Sequence, residues 1–86
     1  MAELCNVLRE SAGVLREIAE INEQIVAAIE CGKITEEQFW TIQSSFEPGS
    51  ELPTDVPELF HRLSRAILKR REIRESAHAL ISQHIN

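Results

Sequence analysis

Aromatic residues, glycine, proline and cysteine are all scarce in this chain of 86 residues. It contains no tyrosine, one tryptophan, three phenylalanines, three glycines, three prolines and two cysteines. Long apolar runs are also missing, since the longest, Ile25–Ile29, has five residues, and a membrane-spanning helix needs roughly 20. Glu3 and Arg9 interrupt the start of the chain, so no secretory signal is recognisable there. The sequence therefore predicts one cytoplasmic domain without a membrane span.

Charge is unevenly divided along the chain, whose net charge is −5. Residues 1–58 carry three basic and twelve acidic side chains, whereas residues 59–86 carry six basic and two acidic ones. The negative total argues against a general nucleic-acid binder and against binding to anionic membranes. One interpretation is that the basic run neutralises the acidic first helix, within the chain or across a dimer. The other is that it contacts phosphate or RNA. We favour neutralisation because no aromatic residue interleaves the run. The run comprises Arg62, Arg65, Lys69, Arg70, Arg71 and Arg74.

The cysteines and histidines have no spacing that suggests a bond or a ligand set. On one helix, Cys5 and Cys31 would lie roughly 39 Å apart, so a disulfide between them is excluded. His61, His78 and His84 form no i, i+4 pair. We therefore expect no metal site and no cofactor.

Turn and capping residues divide the chain into three helices. Gly32 follows an apolar periodic segment and is placed to end the first helix. Thr35 with Gln38 forms a capping box that begins the second helix, and Asp55 with Glu58 forms another that begins the third. The sequence predicts one helical domain over 1–86, with helix 1 at about 3–31, helix 2 at about 36–46 and helix 3 at about 56–84.

The two long helices carry a seven-residue repeat. Val7-Leu8-Arg9-Glu10 recurs as Val14-Leu15-Arg16-Glu17. With Leu4 at heptad position a, positions a and d of helix 1 are apolar over four heptads except at Ser11, and helix 3 accepts the same lettering. We therefore expect an all-α fold in which the long helices form an antiparallel hairpin. One register sets Gln24 opposite Arg62 and Glu17 opposite Lys69.

A two-helix seam does not account for all the apolar positions. Position e is also apolar on both long helices, and helix 1 adds a row at position b: Cys5, Ala12, Ala19 and Val26. The short helix 2, about 16 Å long, cannot cover a hairpin of about 40 Å, so we expect dimerisation to complete a helical bundle. The alternative is a monomer in which helix 2 folds back. The predicted partner-binding residues are Leu4, Leu8, Leu15, Trp40, Leu80 and Ile81.

Two arginines fall at apolar positions of the third helix. Arg70 occupies position a and Arg74 position e, both inside the predicted seam. A buried guanidinium needs a carboxylate or a route to water. Three interpretations follow: the two residues fix register and oligomeric state, extend to solvent, or line a pocket for an anionic ligand. They are the candidate anion-binding residues.

One segment resembles a known enzyme family. Ile18-Ala19-Glu20-Ile21-Asn22-Glu23-Gln24-Ile25 is similar to the first helix of the all-helical chorismate mutases. The resemblance implies a long–short–long helical chain that dimerises and binds a dicarboxylate through residues inside the bundle. Cys31-Gly32 stands where that family has an arginine, and the acidic–basic motif of its middle helix is missing. The nearest candidates for ligand contacts are Arg16, Lys33, Arg70 and Gln83.

No nucleophile–base arrangement, phosphate loop or paired-carboxylate motif is present, so no catalytic residue is predicted. The favoured hypothesis is a small non-enzymatic helical interaction module, an adaptor or chaperone-like protein that binds itself or a partner helix through apolar coiled-coil faces. We expect a homodimer or a protein partner, and no small-molecule ligand. The alternatives are a chorismate-mutase-like enzyme and an RNA-contacting basic helix.

Overall fold

Three α-helices make up the fold in the part of the chain that the structure, a computed structural model, describes: residues 2–47 and 49–85. Helix α1 spans Ala2–Glu30, α2 spans Glu36–Ser45 and α3 spans Glu58–Ile85. The described ranges contain no strand. The predicted all-α class is confirmed.

Helix α1 ends in a tight glycine turn. Gly32 has a φ of +82°, a left-handed conformation that favours glycine. Its N–H donates to the carbonyl of Ile29 (3.1 Å), and the N–H of Lys33 donates to the carbonyl of Ala28 (2.9 Å). These are the two bonds of a Schellman motif, which satisfies carbonyls at the helix end. The turn brings Ile34 into the core, where it is buried.

Helix α2 begins with the predicted capping box. The N–H of Gln38 donates to Oγ1 of Thr35 (3.0 Å), and the N–H of Thr35 donates to Oε1 of Gln38 (3.1 Å). Two N–H groups at the start of the helix are thereby satisfied. This prediction is confirmed.

The predicted capping box of α3 is wrong. Asp55 makes no hydrogen bond within the described residues. It lies in a turn closed by a 3.1 Å bond from the N–H of Val56 to the carbonyl of Pro53, and the helix begins later, at Glu58. The residue directly before the helix is Pro57, so Asp55 stands two positions too early to accept from the first turn.

The apolar core is concentrated at one end of an elongated molecule. The chain measures 51 × 22 × 18 Å and has a radius of gyration of 15.8 Å, against about 12 Å for a compact domain of this length. Phe39, Ile42 and other partly buried side chains pack against a cluster of buried apolar residues. Farther along the long helices, Val14 and Ile73 are buried but lie outside that cluster. The cluster consists of Ile21, Ile25, Ala28, Ile34, Phe60, Leu63 and Ala66.

Helices α1 and α3 pack against each other. Nη1 of Arg62, early in α3, donates to Oε1 of Gln24, late in α1 (3.1 Å). Near the start of α1, Val7 lines a cleft with Ile73 of α3. The pairing of Gln24 with Arg62 is the one that the sequence register predicts.

The connection between α2 and α3 lies along α3. A side chain at Gly49, whose φ is +84°, would lie 3.4 Å from the backbone of Leu68. The hydroxyl of Ser64 donates to the carbonyl of Ser50. Because Leu68 is ten residues into α3, α2 and its connection cover only about the first 15 Å of that helix.

Candidate protein-binding surface

Several large apolar side chains remain exposed on the half of the molecule that α2 does not reach. Leu8 is 56% exposed, Leu15 44% and Ile81 46%. Leu4 and Leu80 are half-buried. We name these five residues the exposed flank. All five were predicted as partner-binding residues.

In residues 2–47 and 49–85 no third helix packs on that half, which leaves the exposed flank open to solvent. At the core end, Phe39 of α2 packs over Phe60, with ring centroids 6.1 Å apart, and Phe60 is 2% exposed. Ile81 lies three heptads after Phe60 at the same heptad position, yet nearly half of its surface is exposed. The same face of α3 is therefore buried where α2 covers it and open where it does not.

The total accessible surface shows how much area is left uncovered. The chain exposes 6448 Å², whereas a folded monomer of 9.8 kDa exposes about 5,200 Å². The surplus is about 1,300 Å². Specific protein interfaces cover about 800 Å² on each partner, so the surplus is large enough for one.

Trp40, the remaining predicted partner-binding residue, is the most exposed large apolar side chain, at 65%. Its ring stands edge-on to Phe39, with centroids 5.2 Å apart and planes at 77°. Phe39 points into the core, and Trp40 belongs to the outer face of α2. Spacing of three and four residues places three further exposed side chains on that face. They are Glu37, Thr41 and Ser44.

Arg70 and Arg74 are both exposed, which agrees with the interpretation that their side chains extend to solvent. No third helix covers this side of α3, so the long side chains extend to water without a desolvation cost. Arg70 and Arg74 line a cleft with Ile67 and Arg71. Neither Arg70 nor Arg74 makes an ion pair or a hydrogen bond within the described residues.

The rest of the basic run is only partly neutralised within the chain. Arg65 forms an ion pair with Glu58 of the same helix (2.9 Å). Lys69 makes no ion pair in the described part of the chain, so the predicted partnership with Glu17 is absent there. Arg62 bonds the neutral side chain of Gln24 in α1, and that hydrogen bond does not offset the charge of the guanidinium. Arg71 also has an interaction partner in the structure.

The residues suggested by the chorismate mutase resemblance are spread over the surface. Arg16 lies in the middle of α1, Lys33 in the turn after it, and Arg70 and Gln83 on α3; all four are exposed. Ligand pockets usually bury most of a small ligand between converging polar groups. These four side chains do not provide such a buried setting.

The structure also answers three narrower questions, on the cysteines, on metal ligands and on membrane spans. Both cysteines are exposed and free. No group of three or more histidine, cysteine, aspartate or glutamate side chains in residues 2–47 and 49–85 is arranged to hold a metal ion. Within the same residues, none of the helices has the length and hydropathy to cross a membrane.

Comparison of the chain with protein-family models, with curated proteins and with solved structures gives no match.

Sequence reasoning missed one residue beside this surface, Glu47. It lies two residues after the end of α2, its side chain is exposed, and that side chain makes no ion pair within the described part of the chain. Because Glu47 lies in a turn, no helical periodicity singles it out. Its relevance follows from its position at the end of α2, where the cover over α3 stops.

Proposed function

We propose that this protein is a non-enzymatic helical interaction module that binds through the exposed flank, by associating with itself or by holding a partner helix. The single observation that carries the proposal is the row of exposed leucine and isoleucine side chains on the half that α2 does not reach. The accessible surface of the whole chain exceeds that of a typical folded monomer by about 1,300 Å², which is enough area for an interface there. Contiguous apolar surface on a small domain marks an interaction site.

The proposal includes an antiparallel hairpin of α1 and α3. The hydrogen bond from Arg62 to Gln24 supports it at the core end. The cleft shared by Val7 and Ile73 supports it toward the other end. In that arrangement Leu4 and Leu8 lie on α1 beside the last turns of α3, so the exposed flank is one continuous surface.

The chemistry of the exposed flank favours helix docking over catalysis. Its members are all aliphatic side chains. An incoming amphipathic helix would bury the aliphatic side chains and leave its own polar face in water. Because these leucine and isoleucine side chains are only about half exposed, covering each one contributes about 1 kcal/mol to such an association.

The test compares two variants that introduce the same charge on opposite sides of α1. Leu8→Glu places a carboxylate in the exposed flank, and Asn6→Glu places one on the outer, exposed side of the same turn. We expect Leu8→Glu to reduce the mass measured by light scattering to that of one chain, and Asn6→Glu to leave the wild-type mass unchanged. Both variants should keep the helical circular dichroism of the wild type.

The proposal is contradicted by either of two results. One is a wild-type protein that stays monomeric and binds no helical peptide or protein. The other is an assembly that Leu8→Glu and Asn6→Glu weaken equally, because the effect would then come from added charge and not from the exposed flank.

A further inference from the structure

The structure leaves complementary features uncovered on two parts of the same chain. The outer face of α2 presents Trp40, the acidic Glu47 lies two residues after the helix, and α2 itself contains no basic residue. The open half of the α1–α3 pair presents Leu8, Ile81 and the unpaired Arg74. The two parts are complementary. The aromatic side chain of Trp40 could pack on the aliphatic surface, and the carboxylate of Glu47 could pair with the guanidinium of Arg74.

We infer that the occupant of the exposed flank is α2 of a second copy of this chain. The two copies face each other across a two-fold axis perpendicular to their long axes, so that each α2 is sandwiched between its own core end and the exposed flank of the other copy. This inference rests on the proposed function and names the partner.

The lengths of the elements fit this arrangement. Helix α2 runs beside α3 in the same direction: Thr35 shares a cleft with Pro57, and Phe46 shares one with Ile67. Ten residues make α2 about 15 Å long, so two copies placed end to end need about 30 Å. The molecule is 51 Å long. Both copies of α2 therefore fit between the two hairpins without overlapping.

The two-fold axis brings Trp40 to the exposed flank. Phe39 contacts Phe60, so Trp40 lies at the level of that residue, about 15 Å before the middle of the hairpin near Arg70. A two-fold axis through the middle of the hairpin places Trp40 of the second copy about 15 Å past that middle. This distance corresponds to ten residues after Arg70. That is the level of Leu80 and Ile81. The most exposed aromatic side chain of one copy thus meets the exposed apolar surface of the other.

The same axis brings Arg74 of each copy to the end of α2 of the other. Glu47 lies near the level of Ile67, with which it lines a cleft, a few ångströms before the middle of the hairpin. Arg74 lies a few ångströms beyond the middle. The carboxyl end of a helix carries a partial negative charge, and α2 has no basic residue in its last turn. Arg74 of the second copy would offset both that charge and the carboxylate of Glu47.

A second copy accounts for the uncovered area better than an unrelated helix does. An unrelated helix bound to the exposed flank would leave Trp40 exposed, whereas an isologous dimer covers both surfaces at once. If each copy covers its surplus of about 1,300 Å², the interface totals about 2,600 Å², the size typical of stable homodimers.

A charge-exchange experiment tests the arrangement. A homodimer of Glu47→Arg contains two like-charged pairs, and so does a homodimer of Arg74→Glu. Because like charges repel, we expect the dissociation constant of each variant to rise at least about tenfold. An equimolar mixture of the two variants should form the heterodimer preferentially, because both pairs are then opposite in charge. Glu23→Arg, on the outer side of α1, is the matched control and should dimerise as the wild type does.

Fluorescence of Trp40, the sole tryptophan, gives an independent readout. We expect its emission to shift to shorter wavelength, and its quenching by acrylamide to fall, when the wild type associates. Monomeric Leu8→Glu should show neither change.

The outcomes separate the arrangement from the proposed function. A wild-type dimer in which Trp40 stays as accessible as in Leu8→Glu, or in which both charge reversals are harmless, overturns this arrangement but leaves an interaction module. A wild type that is monomeric at every concentration overturns the arrangement; if it also binds no helix, the proposed function fails with it.

Discussion

Arg62 donates a hydrogen bond to Gln24, 38 residues earlier in the chain, at 3.1 Å. This contact fixes which turn of α3 faces which turn of α1. Because a helix rises about 1.5 Å per residue, it also sets the level of every other residue along the pair. The positions of the exposed flank and of the proposed two-fold axis both depend on it.

Cross-linking checks that register directly. With Cys5 and Cys31 replaced by serine, we expect Gln24→Cys combined with Arg62→Cys to be joined within one chain by a short bis-maleimide. Gln24→Cys combined with Gln83→Cys should not be joined within one chain, because the two positions lie about 30 Å apart along α3. Mass spectrometry of the linked monomer reads the result, and the opposite pattern would contradict the register.

Two glycine substitutions should change stability in opposite directions. Gly32→Ala places a side chain at a φ of +82° and should lower the free energy of unfolding by about 1 kcal/mol. Gly13→Ala lies inside α1, where an added Cβ meets nothing within 4 Å, and should raise it by about 1 kcal/mol. Urea denaturation measures both. Equal effects would contradict the Schellman turn at the end of α1.

The packed end of the molecule should carry most of the stability of the single chain. In a Leu8→Glu background, which keeps association out of the measurement, Phe60→Ala should lower the free energy of unfolding by about 3–5 kcal/mol. Ile81→Ala should lower it by about 0.5 kcal/mol or less, since its side chain is 46% exposed. Comparable losses in the two variants would mean that Ile81 is covered within one chain.

Chorismate tests the alternative of an enzyme. We expect the absorbance of chorismate to decay at its uncatalysed rate in the presence of the protein, because Arg16, Arg70 and Gln83 are exposed and provide no enclosed dicarboxylate site. A faster decay that Arg70→Ala abolishes would establish the enzyme and displace the interaction module.

Local sequence signals predict part of this fold well. The Thr35–Gln38 capping box and the helix end at Gly32 depend on neighbouring residues alone, and both are found as expected. The Asp55–Glu58 pattern is just as clear, but the turn after Pro53 moves the start of α3 to Glu58 and leaves Asp55 outside. A capping pattern therefore identifies a helix start only where the preceding turn permits it.

Heptad position predicts which side of a helix faces its neighbour but not how far a third element extends. Arg74 and Phe60 share position e, and only Phe60 is covered, because α2 ends before it reaches the level of Arg74. The length of α2 and the path of its connection past Gly49 determine that difference. Glu47 escaped prediction for the same reason, since its neighbours in space are set by that path.

The mass of the wild-type protein in solution tests the central claim most directly. Sedimentation equilibrium over a wide range of concentrations should give twice 9.8 kDa at high concentration and approach 9.8 kDa on dilution, because association covers the exposed flank. A mass of 9.8 kDa at every concentration would show that the exposed flank does not drive self-association, and would contradict the proposed dimer.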